Sequence, residues 1–129
     1  MSKVLITESR AIEYKRQYSK NILKTVSSFA NYHDGEVLIG IDDDLNIVGV
    51  EDVTYLKLKL ENAINDNISP KPYYEITEKK LDGKCIVILK VHRGENTPYL
   101  YNNKAYKRMD TSTIAVDIYD FENLILNGK

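Results

Sequence analysis

Residues 36–50, Glu36-Val37-Leu38-Ile39-Gly40-Ile41-Asp42-Asp43-Asp44-Leu45-Asn46-Ile47-Val48-Gly49-Val50, set the fold class. The run 36–41 is almost continuously apolar, the pattern of a strand covered on both faces. Residues 42–46 are turn formers, and 47–50 return as a second strand, so the segment reads as a hairpin. Upstream the period changes from two to 3.6. Ser19 is placed to cap a helix running to about Tyr32, with Ile22, Leu23, Val26, Phe29 and Ala30 in one apolar stripe, and His33-Asp34-Gly35 ends it. Ahead of that helix, residues 12–15 read as a short strand. Downstream, residues 54–68 read as a second helix with Leu56, Leu60, Ala63 and Ile64 inward, stopped by Pro70 and Pro72. Residues 73–80 and 84–91 flank Asp82-Gly83, a strong hairpin signal. A third hairpin is expected to pair 99–101 with 105–107 around Asn102-Asn103, and 116–126 read as a short helix. No repeat, low-complexity tract or linker interrupts this order. The sequence therefore predicts one α+β domain over residues 1–129, a mainly antiparallel sheet with two to three packed helices.

A chain of 129 residues buries roughly two thirds of its unfolded surface, enough for a core without staples. Its 43% apolar and 29% charged residues lie near the globular norm, which argues against intrinsic disorder. The single cysteine, Cys85, excludes a disulfide framework within one chain and sits in the apolar run Cys85-Ile86-Val87-Ile88-Leu89 as a small hydrophobe. No stretch approaches the ~18 apolar residues of a membrane span and no leader pattern opens the chain, so a cytoplasmic protein without a membrane partner is expected. The net charge of −1 hides segregation. Arg10, Lys15, Arg16, Lys20 and Lys24 stand against only Glu13. Lys90, His92, Arg93, Lys104, Lys107 and Arg108 stand against only Glu95, and the acidic counterweight lies at Asp42-Asp43-Asp44, Glu51-Asp52, Asp117, Asp120 and Glu122. Each basic stretch is either a solvated face or a surface for a polyanion. Tyr14, Tyr99, Tyr101 and Tyr106, in or beside these stretches, are either half-buried sheet residues or platforms for unpaired bases.

Most catalytic signatures are absent: the chain has no Walker loop, G-x-G-x-x-G, G-x-S-x-G or H-E-x-x-H. His33 and His92 are far apart without a cysteine partner, which argues against zinc. What remains is a combination. Glu8-Ser9-Arg10-Ala11-Ile12-Glu13-Tyr14-Lys15 is followed by a helix ending Phe29-Ala30-Asn31, a glycine turn, and Val37-Leu38-Ile39-Gly40-Ile41-Asp42-Asp43. Pro98-Tyr99 and Tyr106-Lys107-Arg108 with Thr111-Ser112-Thr113 continue the pattern. This order resembles the Schlafen AlbA-like domain, also known as a DNA-binding or divergent AAA domain of bacterial regulators. Two departures add negative charge: Asp34 replaces one glycine of the family's turn, and Asp110 stands where a glycine usually follows the arginine by two. No glycine-rich phosphate cradle remains, which weighs against nucleotide binding.

The resemblance implies nucleic-acid binding and, in the ribonuclease members, a metal-dependent site of three carboxylates. Carried over by position these are Glu8, Glu13 and Asp43, holding Mg²⁺ or Mn²⁺ to activate water and neutralise the scissile phosphate. Lys15, Arg16, Lys20, Lys107 and Arg108 would contact the polymer. A spacing of five puts Glu8 and Glu13 on opposite faces of a regular strand, so the chain must turn before Ile12 for them to converge. Otherwise they are ordinary acids bridging Arg10, Lys15 or Arg16. Two function classes stay open: an endoribonuclease acting on structured RNA such as tRNA, or a non-catalytic module, either the DNA-contacting part of a regulator or a protein-interaction scaffold. Schlafen cores grip RNA between two tandem copies of this domain, which implies a homodimer here. Residues 99–106 and Phe121, Leu124 and Leu126 are candidate interface material, or core.

Overall fold

The computed structural model describes residues 2–129. The chain runs through β1 (Ile12–Lys15), α1 (Asn21–Tyr32), β2 (Gly35–Ile39), α2 (Val53–Asn67), β3 (Ile68–Ser69), β4 (Tyr73–Leu81), β5 (Lys84–His92), β6 (Leu100–Tyr101), β7 (Tyr106–Met109), β8 (Ser112–Ala115) and α3 (Ile118–Asn127). This is an α+β fold with mainly antiparallel sheet. Its main sheet has the order β1-β2-β5-β4, and only β1 with β2 is parallel. Parallel neighbours need a crossover, and α1 supplies it. No helix among the described residues is long and apolar enough to cross a membrane.

Alternation sorts the sheet residues onto two faces. Val37, Ile39, Val87, Leu89 and Val91 join Ile22, Leu23, Val26, Phe29 and Ala30 of α1 and Leu56, Leu60 and Ile64 of α2 in the main core. The opposite face is closed by a smaller cluster of Tyr14, Ile41, Ile47 and Ile86, against which Val4, Leu38 and Ile88 pack. The continuous apolar run at residues 36–41 is thus covered on both sides, as a buried central strand requires.

The expected elements are present with corrections at their ends. Lys20, not Ser19, directly precedes α1, yet Ser19 still supports its start: Oγ accepts from Asn21 N at 3.1 Å and the carbonyl accepts from Ile22 N at 3.0 Å. α2 begins at Val53 because Asp52 caps it, accepting from Tyr55 N at 2.9 Å. The strand expected at 36–41 stops at Ile39, and residues 47–50 form no return strand. Gly40 and Gly49 both take positive φ, 115° and 75°, and only an isolated bridge joins Ile41 to Ile47. A Cβ on Gly40 would stand 3.2 Å from the Gly49 backbone, so these two glycines let the chain cross itself.

The third expected hairpin is also replaced. Asn102 and Asn103 make the turn, with φ of 52° and 63°, but pairing ends at Tyr101 and Lys104. Beyond it β6 pairs with β3, and β7 turns through Asp110 to pair with β8. Side chains of α1 take the backbone groups that a ladder would have used. Ser27 Oγ donates to Tyr99 O at 2.7 Å and accepts from Tyr106 N at 3.2 Å. Asn31 donates to Tyr99 O at 3.0 Å and accepts from Tyr99 N at 2.6 Å. Tyr14, Tyr99, Tyr101 and Tyr106 are buried, so they are core residues rather than stacking platforms. Leu124 is buried as well, whereas Leu126 is exposed.

Gly35 opens β2 directly against α1: an added Cβ would meet Phe29 Cε1 and Cζ at 2.4 Å. Gly35→Ala is expected to cost about 1–3 kcal/mol through overpacking. Urea unfolding should show a lower midpoint at unchanged slope.

Candidate nucleic-acid interface

β1 is an edge strand, and its position decides the chemistry around it. In the register Glu13 stands beside Val37 and Lys15 beside Ile39, so both lie on the face covered by α1, while Tyr14 enters the opposite cluster. Glu13 is only 7% exposed. Its Oε1 accepts from Arg108 Nη1 at 2.7 Å and its Oε2 accepts from Thr25 Oγ1 at 3.0 Å. Arg108, 4% exposed, also donates through Nη2 to Ser9 O at 2.7 Å and Ile12 O at 3.3 Å. The expectation that Arg108 contacts a polymer is therefore corrected. Alternation along β7 turns Arg108 inward with Tyr106 and leaves Lys107 half-buried on the other side, its Nζ 2.6 Å from Asp120 Oδ2. That bond to Asp120 raises the Lys107 pKa above its ordinary value.

The two glutamates are held by different partners. The chain does turn before Ile12, through reciprocal hydrogen bonds between Ser9 and Ile12. The turn carries Glu8 to the outer edge of β1, where its Oε2 accepts from Tyr14 N at 3.0 Å. Asp43 is exposed on the loop of residues 42–46. That loop is organised by Asp42, whose side chain accepts from Asn46 N at 2.8 Å, Asp44 N at 3.0 Å and Asn46 Nδ2 at 3.2 Å. The Asn46 amide, with the Asn46 side chain, the Asp44 amide and the nearby Arg16 charge, holds the Asp42 carboxyl below the usual carboxylate range. Among the described residues no three His, Cys, Asp or Glu side chains are gathered to hold a metal ion. Glu13, moreover, already has both oxygens engaged and its charge balanced. Glu8, Glu13 and Asp43 in this arrangement do not fit a shared divalent cation.

What the arrangement does build is a polar pocket of about 250 Å³ lined by Glu13, Lys15, Asn21, Lys24, Thr25 and Thr113. With Glu13 neutralised by Arg108, the formal charges left in its lining are two lysines. Asn21 is the first residue of α1, whose first turn holds no acid, so the helix dipole adds positive potential there. Arg16 and Lys20 are exposed on the connection between β1 and α1. Lys15, Arg16 and Lys20 thus cluster at this end of the fold, whereas Lys107 is tied to α3. Asn21, Lys24, Thr25 and Thr113 were not among the expected site residues. Thr25 carried a signal, since it falls on the apolar stripe between Ile22 and Phe29 and is buried there with a polar group that needs a partner.

The geometry defines a small α+β domain with a cationic pocket at the junction of an edge strand and a helix start. The chain belongs to the Schlafen, AlbA_2 family, whose family model matches residues 8–117. The fold is similar to the crystal structure of the DIP2311 protein of Corynebacterium diphtheriae, with a TM-score of 0.68 and 17% identity, over 93% of this chain and 24% of that one. This chain spans about a quarter of that protein's length. It is also similar to the solution structure of the N-terminal domain of an ATP-dependent DNA helicase RecG-related protein from Nitrosomonas europaea. There the TM-score is 0.59 and the identity 25%, over 83% of each chain.

Arg108→Ala is expected to lower stability by about 3–5 kcal/mol, because it strands the Glu13 charge inside. Adding Glu13→Gln to it should recover part of that loss. Denaturant unfolding of both variants checks this, and equal instability of the two would contradict the coupling.

Proposed function

We propose that this chain is a nucleic-acid-binding domain that holds the phosphate backbone in the pocket of Lys15 and Lys24, with Arg16 and Lys20 beside it, and that it acts as a binding module rather than as a nuclease. The observation that carries this reading is the pocket's charge: Arg108 cancels Glu13, so two lysines and a helix N-terminus face any anion that enters. Phosphate oxygens suit such donors, being multivalent acceptors that lysine meets as a point charge. Membership of the Schlafen, AlbA_2 family and the likeness to a domain from a helicase-related protein point to nucleic acid as the source of that phosphate. The engagement of both Glu13 oxygens by Arg108 and Thr25, with no metal-holding group of carboxylates among the described residues, supports binding without cleavage.

Affinity for an oligonucleotide should fall steeply with salt, as counterion release requires. Lys24→Ala should weaken binding across sequences and reduce the slope of log affinity against log salt by about 1, and Lys15→Ala should do the same. Lys107→Ala, which removes a lysine tied to Asp120, should leave the slope unchanged. Fluorescence anisotropy over a salt series reads all three. Mn²⁺-dependent cleavage of structured RNA that disappears in Asp43→Ala would overturn the non-catalytic reading.

A further inference from the structure

A second and larger hollow, of about 540 Å³, has in its lining Arg16, the chain neighbour of Lys15 in the phosphate pocket. The β1–α1 connection forms one wall with Arg16, Gln17 and Tyr18, and the start of α2 forms another with Tyr55. The backbone around Gly49 closes it from a third side. Tyr18 and Tyr55 both line it, and the ammonium of Lys59, outside that lining, stands 4.7 Å from the Tyr18 ring centroid and 5.8 Å from that of Tyr55. Tyr55 is 60% exposed, so its ring is open to a ligand entering from solvent. Its backbone is held at the helix start, where its N–H donates to the cap residue Asp52 at 2.9 Å.

We infer that this hollow receives an unpaired nucleobase, which makes single-stranded nucleic acid the preferred ligand. The inference rests on the phosphate-binding reading and adds the substrate class to it. Flat π-faces stack on any base, and the neighbouring Lys59 and Arg16 cations strengthen such stacks. Arg16 as donor and Glu51 as acceptor stand at the lining to meet the edge of a seated base. Lys15 lines the phosphate pocket and Tyr18 the aromatic one, so at most roughly 10 Å of chain separates the two subsites. A backbone phosphate held at Lys15 and Lys24 would leave its own or the next base beside Tyr18 and Tyr55. A duplex keeps its bases inside the stack and would have to flip one out, at a cost that a single strand avoids.

The test measures binding of the whole chain to a short mixed-sequence single strand, to its blunt duplex and to an abasic strand of equal length. Tyr55→Ala should weaken single-strand binding about 5- to 150-fold, the range given by loss of one stacked base, and leave the duplex and abasic strand unaffected. Tyr55→Phe, which keeps the ring face, should retain most of the affinity. If Tyr55→Ala binds the single strand as tightly as the parent chain, or loses affinity equally for all three ligands, the base pocket is overturned. The phosphate reading survives that result provided Lys24→Ala still weakens binding to all three. Failure of the parent chain to bind any of them at low salt overturns both.

Discussion

The buried pair between Arg108 and Glu13 is the contact on which the rest of this structure depends. Burying two charges costs several kcal/mol per ion, and attraction alone does not reliably offset it. Here the remaining donors and acceptors are largely matched: Thr25 donates to the carboxylate, and the Ser9 and Ile12 carbonyls accept from the guanidinium. The pair therefore joins three elements distant in sequence, β1, α1 and the β7–β8 hairpin. It also seals an edge. The outward backbone groups of β1 have no strand to pair with, and Arg108 covers Ile12 O while Glu8 covers Tyr14 N. Such covering is how a sheet edge is kept from pairing with another chain.

α1 extends the same logic. Its buried side is not purely apolar, since Thr25, Ser27 and Asn31 lie among Ile22, Val26 and Phe29. Thr25 reaches the ion pair, while Ser27 and Asn31, one turn apart, bind the backbone at Tyr99 and Tyr106. These bonds let β6 and β7 part company after the Asn102-Asn103 turn. One helix thereby positions both the floor of the cationic pocket and the hairpin that delivers Arg108 to it.

Much of this was legible in the sequence. The 3.6-residue stripe of α1, the apolar β2, the Asp82-Gly83 hairpin and the family resemblance all follow from local pattern, and local pattern is what a sequence displays. Strand direction is not local, so the parallel pairing of β1 with β2 left no mark in a four-residue strand. Nor did the pair of crossing glycines, because Gly40 and Gly49 each look like an ordinary turn residue until they meet. The site is less legible for a specific reason. Adjacent in sequence, Lys107 and Arg108 read together as basic charge, although alternation along β7 sends adjacent residues to opposite sides. Tyr106 and Arg108 share the inward side, and a buried arginine there demands a buried acid, which among the described residues Glu13 supplies. Glu8 and Asp43 kept the resemblance to a carboxylate triad, but resemblance in order does not bring side chains together.

The separation of Glu13 from Arg108 by 95 residues has a consequence for the birth of the chain. At a synthesis rate of ~5–20 residues per second, β1 waits roughly 5–20 s on the ribosome before its counterion is made. Until then the Glu13 carboxylate has no guanidinium to pair with, and burying it alone would cost several kcal/mol.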